Sequence, residues 1–103
     1  MKIGFKNKHL LRLYTEGNSR KYNLPRTVLE KYFMRVHQLE AAVTIYDLWK
    51  TAALNFEALQ GFQNRYSVRL EKKWRLEMEI EWEDREKTKG TIFIVELSKH
   101  YED

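Results

Sequence analysis

Residues 65–82 alternate apolar and polar side chains almost without a break, and few backbone conformations accept that pattern. Tyr66, Val68 and Leu70 fall on one side, with Arg65, Ser67, Arg69 and Glu71 on the other. Past a charged corner, Glu71-Lys72-Lys73, the set Trp74, Leu76, Met78, Ile80 and Trp82 alternates with Arg75, Glu77, Glu79 and Glu81. Successive side chains of a strand point to opposite faces, so period two reads as an antiparallel hairpin with one apolar and one wet face. Arg65, Arg69 and Arg75 then stand together on the solvent side. Parity allows two registers, because paired positions must share a face. If Leu70 faces Trp74 across a three-residue loop, Arg69 lies opposite Arg75 and Arg65 opposite Glu79. A shift of two places Arg69 against Glu77 and Arg65 against Glu81. The first register gathers positive charge for a phosphate; the second cancels it in cross-strand ion pairs. Three-residue hairpin loops are commoner than five, so the first is expected.

The rest of the chain supplies the layer that covers the apolar face. Ile3 and Phe5 mark a short first strand with both side chains buried. Asn7 caps a helix over Lys8–Glu16, whose inner stripe is Leu10, Leu13 and Tyr14, with Leu11 on its flank; Gly17-Asn18 ends it. A basic linker, residues 19–24, leads to Pro25 as the first position of a second helix running to about residue 42. Its apolar face is Val28, Leu29, Tyr32, Val36, Leu39 and Val43, with Arg26, Glu30, Lys31, Arg35 and Gln38 on the other side. The two helices are expected to form an antiparallel pair resting on the sheet. Asp47 can cap a short helical turn, with Ile45, Leu48 and Trp49 plugging the edge between helices and sheet. Leu54, Phe56 and Ala58 suggest a short strand before the turn Leu59-Gln60-Gly61. The charged loop 84–90 ends at Gly90 as its turn residue, and residues 91–97 (TIFIVEL) are apolar on both faces, as in a covered strand. The expectation is one α+β domain over residues 1–103: a short strand, two helices, and a mainly antiparallel sheet.

Composition limits what such a domain does. At 103 residues with 43% hydrophobic content the chain supports a single core and is not disordered. It has no cysteine, so no disulfide or thiolate metal site is expected, and no apolar run reaches membrane-spanning length. The first ten residues, MKIGFKNKHL, do not read as a signal peptide, which makes the cytoplasm the default location. The formal charge is +4, and its basic groups gather early: Lys2, Lys6, Lys8, Arg12, Arg20, Lys21, Arg26 and Lys31 meet only Glu16 and Glu30 in the same span. That bias suits a polyanion such as nucleic acid, and equally a solvated helix surface.

No glycine-rich phosphate loop, HExxH or GxSxG is present, and Asp47, Glu57 and the three histidines lack metal-ligand spacing. No cofactor is expected. What remains suits phosphodiester chemistry. Cleavage of RNA by its own 2′-hydroxyl needs a base, an acid and cations around a five-coordinate phosphorus, and arginines stabilise the charge that develops there. His100 and Tyr101 offer a proton-transfer group and a stacking ring; a His-Tyr pair near a chain end is also ordinary surface. His9 and His37 lie inside helical patterns and read as structural or exposed. Trp74, Trp82, Tyr66 and Met78 belong to the core face rather than to an aromatic nucleic-acid platform.

The order of these features resembles the RelE/ParE toxin superfamily, in particular its HigB-like branch. The resemblance runs over nearly the whole chain and is carried by Phe5, Leu59-Gln60-Gly61, Arg65-Tyr66-Ser67-Val68-Arg69, Trp74-Arg75-Leu76 and His100-Tyr101. It implies a small RelE-like α+β fold and a metal-independent endonuclease that cuts mRNA in the ribosomal A site. It also implies neutralisation by a helix-turn-helix, HigA-like antitoxin, and operator DNA bound through the toxin–antitoxin complex. By resemblance, Arg75 contacts the scissile phosphate, Arg65 and Arg69 hold RNA together with Lys72, Lys73 and Lys99, and the His100-Tyr101 tail assists proton transfer. The basic helices would dock on ribosomal RNA. The chain departs from the pattern at two places. Glu57 stands where some HigB-like toxins carry a histidine, and can serve as a base instead. Lys99-His100-Tyr101 replaces an Asp-Tyr-His ending. Two other readings stay open: a ParE-like toxin that binds and inhibits gyrase, and a degenerate toxin that keeps only its antitoxin and operator interactions.

Overall fold

The computed structural model describes residues 1–99. In chain order these form β1 (Lys2–Phe5), α1 (Lys8–Glu16), α2 (Arg26–Ala41), α3 (Ile45–Lys50), a 3-10 turn (Ala52–Leu54), β2 (Glu57–Ala58), β3 (Arg65–Glu71), β4 (Trp74–Trp82) and β5 (Gly90–Lys99). The strands make one sheet in the order β1-β5-β4-β3-β2. Among the described residues only the β1–β5 pair is parallel. β5 lies inside the sheet between β1 and β4; Ile92, Ile94 and Leu97 are buried, and Phe93 and Val95 are partly covered. The expected α+β fold is therefore observed, with helices laid on a mostly antiparallel sheet.

Local chemistry explains α1 from end to end. Asn7 is extended (φ −122°), and its side-chain oxygen accepts from the backbone N–H groups of His9 and Leu10, two of the donors a helix start leaves unpaired. Gly17 at φ 78° sends its N–H back to the Leu13 carbonyl, a left-handed end that suits glycine. The linker then doubles back, so that Tyr22 reaches Asn7 at the start of α1 and hydrogen-bonds Glu96 of β5. Consequently α2 leaves from the end where α1 began. Tyr32 of α2 donates to the Leu10 carbonyl, while Tyr14, further along α1, packs against Phe33 and His37, further along α2. With Tyr14 also edge-on to Tyr32, these contacts join α1 to α2 above the sheet.

The core lies between this helical layer and one face of the sheet. Leu10, Leu13, Val28, Tyr32, Val36 and Leu39 meet Val68, Leu76, Met78, Ile80, Ile92 and Ile94, all nearly inaccessible. Each such side chain contributes about 1.5–3 kcal/mol through burial, which holds β3 and β4 in the plane that presents their other face. Pro25 precedes α2 as its cap rather than forming its first position. Val43, expected in the inner stripe, lies past the end of α2 and is exposed. Asp47 does cap α3, accepting from the N–H groups of Val43 and Thr44. Ile45 and Leu48 are buried, but Trp49 is half exposed, its ring set edge-to-face with Phe56. Leu54 belongs to the 3-10 turn and not to a strand. Gly90 is the first residue of β5, paired with Trp82, and the left-handed residue of the preceding loop is Lys87 at φ 57°. Gly90 is required for a different reason: a Cβ there would lie 2.4 Å from the Glu81 carbonyl oxygen.

Arg35 is the largest departure from the sequence expectation. The helical period puts it on the solvent side of α2, yet it is only 5% exposed. Its Nε donates to the Arg69 carbonyl at 2.7 Å, Nη2 to the Ala53 carbonyl at 3.1 Å, and Nη1 to Gln38 Oε1 at 2.7 Å. Burial lowers its pKa from the ordinary arginine value. A helical period places residues on faces but does not reveal that the carbonyls of a distant strand and turn converge opposite one flank.

Candidate functional site

The polar face of the hairpin has the register that gathers arginines. Arg69 pairs with Arg75, Ser67 with Glu77, and Arg65 with Glu79. The loop differs in detail: Glu71, not Leu70, faces Trp74, because a bulge between Arg69 and Glu71 absorbs one residue. The turn is therefore two residues, Lys72 and Lys73, and Leu70 stays in the core at 2% exposure. A bulge strengthens the local twist, and here it sits beside the Arg69–Arg75 pair.

β2 adds the next row. Glu57 pairs with Ser67, so Glu57, Ser67 and Glu77 form one line across three strands. Glu57 Oε2 lies 3.8 Å from Arg75 Nη1, an ion pair too long for a hydrogen bond. The sequence named both residues but carried no signal that they meet, since eighteen positions separate them. Ser98 of β5 pairs with Arg75, whereas Lys99 pairs with Trp74 and so turns to the opposite face. The Lys99 ammonium lies over the Trp74 ring, 4.7 Å from its centroid. Lys99 is thus near the hairpin tip but off the arginine wall, and Lys72 and Lys73 are exposed at that tip. His100 and Tyr101 lie outside the described residues.

This face is less wet than alternation alone suggests. Ser67 is fully buried, and the Arg75 side chain keeps only 13% of its exposure. Three buried polar atoms find no hydrogen-bond partner among the described residues: Arg65 Nε, Ser67 Oγ and Arg75 Nη1. All three lie on this one face. Buried donors without partners are uncommon and costly, so such a cluster marks a place where a further acceptor belongs. Arg69 is exposed and has no ion-pair partner among the described residues.

Arg65 behaves differently from its two companions. It reaches diagonally to Glu77 at 3.4 Å and across to Glu79 at 3.0 Å. Glu79 also takes Lys6 from the end of β1 at 2.9 Å, and its carboxyl pKa is lowered, chiefly by Lys6 and then by Arg65. The two registers considered from sequence were not exclusive alternatives in their consequences. The one that joins Arg69 to Arg75 also neutralises Arg65, because a long side chain reaches diagonal as well as direct partners. Phe62, which the sequence reading passed over, stacks on the Arg65 guanidinium at 4.5 Å.

Against known proteins, a family model described as "RelE-like toxin of type II toxin-antitoxin system HigB" matches residues 3–90. The match takes in Glu57, Arg65, Arg69 and Arg75 and stops at the start of β5, so Lys99, His100 and Tyr101 fall beyond it. No curated protein matches the chain.

Proposed function

Because the chain belongs to the HigB-like family and is a RelE-like toxin of a type II toxin–antitoxin system with an antitoxin partner, we propose that it is an endoribonuclease acting on mRNA at the ribosomal A site. The observation that carries this reading is the facing pair Arg69 and Arg75, with Arg75 Nη1 buried and lacking a hydrogen-bond acceptor among the described residues. Like charges directly opposite across a sheet are destabilising, and a phosphate seated between them relieves the repulsion. As the 2′-hydroxyl of the substrate attacks the adjacent phosphorus, negative charge grows on the non-bridging oxygens. Preoriented guanidinium donors stabilise that charge, and loss of one such donor typically costs about 10²–10³ in rate.

Glu57 stands beside Arg75 with its side chain half exposed, within reach to take the 2′-hydroxyl proton. His100 and Tyr101 are assigned to protonation of the leaving oxygen and to base stacking. In this reading the protein works in the cytoplasm, its basic N-terminal half contacts ribosomal RNA, and a helix-turn-helix antitoxin neutralises it and carries it to operator DNA.

The test is induction of the chain without antitoxin, followed by mapping of RNA 5′ ends. Growth arrest with cuts inside translated messages is expected, and Arg75→Ala should abolish both. Arrest with intact mRNA and a DNA-damage response would identify gyrase as the target instead. Unimpaired growth of cells expressing the soluble wild-type chain would leave a degenerate toxin.

A further inference from the structure

The arginine face is electrostatically two surfaces. Toward the hairpin tip, Arg69 and Arg75 stand opposite each other, and among the described residues Glu57 is the one carboxylate ion-paired there, with Arg75. Toward the other end, Arg65 and Lys6 meet Glu77 and Glu79, so local charge cancels. The two rows are four residues apart along β3, about 13 Å at the usual rise per residue.

Over the neutralised end lies Phe62, 54% exposed, with one side of its ring resting on the Arg65 guanidinium. Phe62, Gln63, Asn64, Arg65 and Glu79 border an open recess of about 140 Å³. Its Asn64 wall is fixed: the side-chain amide donates to the Ile80 carbonyl and the side-chain oxygen accepts from the Trp82 indole. An exposed phenylalanine is usually mobile, but this one is held from behind by a cation that is itself anchored to two carboxylates.

We propose that this recess is a nucleobase subsite, in which a base of single-stranded RNA stacks on Phe62 while the strand continues to Arg69 and Arg75. The inference rests on the ribonuclease reading above and assigns Arg65 to the base platform rather than to a phosphate. An uncharged base suits a surface where charge cancels, and a phosphate does not. The Glu79 carboxylate accepts from an exocyclic amino group, the acceptor role carboxylates play toward cytosine. A ring that already rests on the Arg65 guanidinium has less freedom left to lose on binding, and stacking tolerates any base because each has a π-face.

The test uses the purified full chain and a short single-stranded RNA probe made uncleavable by 2′-O-methyl groups, read by fluorescence anisotropy. An abasic position is walked along the probe. One position should weaken binding about tenfold, in the range of base–aromatic stacking. Phe62→Ala should weaken the intact probe by the same factor and leave the probe abasic at that position unchanged. Phe62→Trp should retain affinity, and Phe62→Leu, which covers Arg65 without a π-face, should behave as the alanine variant does. The salt dependence should not move with Phe62→Ala, since no phosphate contact is lost, whereas Arg69→Ala should reduce its slope by about 0.7. Wild-type affinity in Phe62→Ala, or equal added losses at every abasic position, overturns the subsite alone. Failure of the wild-type chain to bind the probe overturns the subsite, while the RNA-end mapping described above decides the ribonuclease reading separately.

Discussion

Replacing Arg35 with methionine tests how α2 secures the strand that carries Arg69. The substitution keeps most of the aliphatic stem but removes three donors, those to the carbonyls of Arg69 and Ala53 and to the Gln38 side chain. Hydrogen bonds from a charged donor contribute about 1.5–3 kcal/mol each, and a buried acceptor left unmatched costs about 1–3 kcal/mol. Against this stands the expense of burying a cation with no carboxylate among its described partners, which is several kcal/mol and is recovered when the charge is removed. An apolar replacement can therefore stabilise a protein when nothing is left unpaired. Here two backbone carbonyls lose a donor, and they decide the sign. The net loss should be about 2–4 kcal/mol. At about 4–8 °C per kcal/mol for a domain of this size, the melting temperature should drop by roughly 10–30 °C. Arg35→Lys, which keeps one donor, should fall between the two, and Gln38→Ala should cost about 1 kcal/mol. Thermal and guanidinium unfolding followed by circular dichroism measure all three. A methionine variant melting within about 3 °C of wild type would refute the reasoning, since the bonds would then merely offset the charge's desolvation.

Gly90→Ala should be more damaging than Gly4→Ala, at about 1–3 kcal/mol for the former. The new Cβ at residue 90 meets a backbone oxygen at 2.4 Å, while at residue 4 it meets the Phe93 ring at 2.7 Å, a side chain that can rotate; equal denaturant midpoints would contradict this. Stability should decline on acidification, because folding lowers three carboxyl pKa values: Asp47 through the Thr44 and Val43 N–H groups, Asp84 through Thr88 and the Lys89 N–H, and Glu79 through Lys6 and Arg65. A depressed folded pKa gives stabilisation that is complete above the unfolded value, near 4, and lost as pH falls through the folded value. Melting temperature should thus be insensitive to these groups above about pH 5 and fall below pH 4, with a shallower fall in the Asp47→Asn, Asp84→Asn double variant. Glu57→Gln separates the two roles open to that carboxylate. Freed from its ion pair, Arg75 should bind uncleavable RNA severalfold more tightly, while loss of the base should lower the cleavage rate by about a hundredfold or more. Tighter binding with full cleavage would leave Glu57 as a competitor for Arg75 and no catalyst.

Much of this protein follows from interactions between close neighbours in the chain, and those parts are readable without a structure. Asn7 and Gly17 bracket α1 because capping is a matter of a few adjacent dihedrals. The alternation of residues 65–82 dictates two strands, and side-chain parity with a short turn dictates that Arg69 meets Arg75. The family resemblance rests on the same local signals, and the match over residues 3–90 agrees with it. What tertiary structure alone decided depends on segments far apart in sequence. Arg35 is buried because β3 and the 3-10 turn aim carbonyls at it. Lys6 arrives from the far edge of the sheet to share Glu79 with Arg65, so that two cations meet the two carboxylates Glu77 and Glu79. Glu57 becomes a partner of Arg75 only because β2 adds to the edge of β3. Alternation assigns a side chain to a face, but the charge it feels there is a sum over neighbours that only packing brings together. For that reason the three arginines, equivalent in the sequence, differ in the folded protein: one is neutralised beneath a phenylalanine, and two face each other.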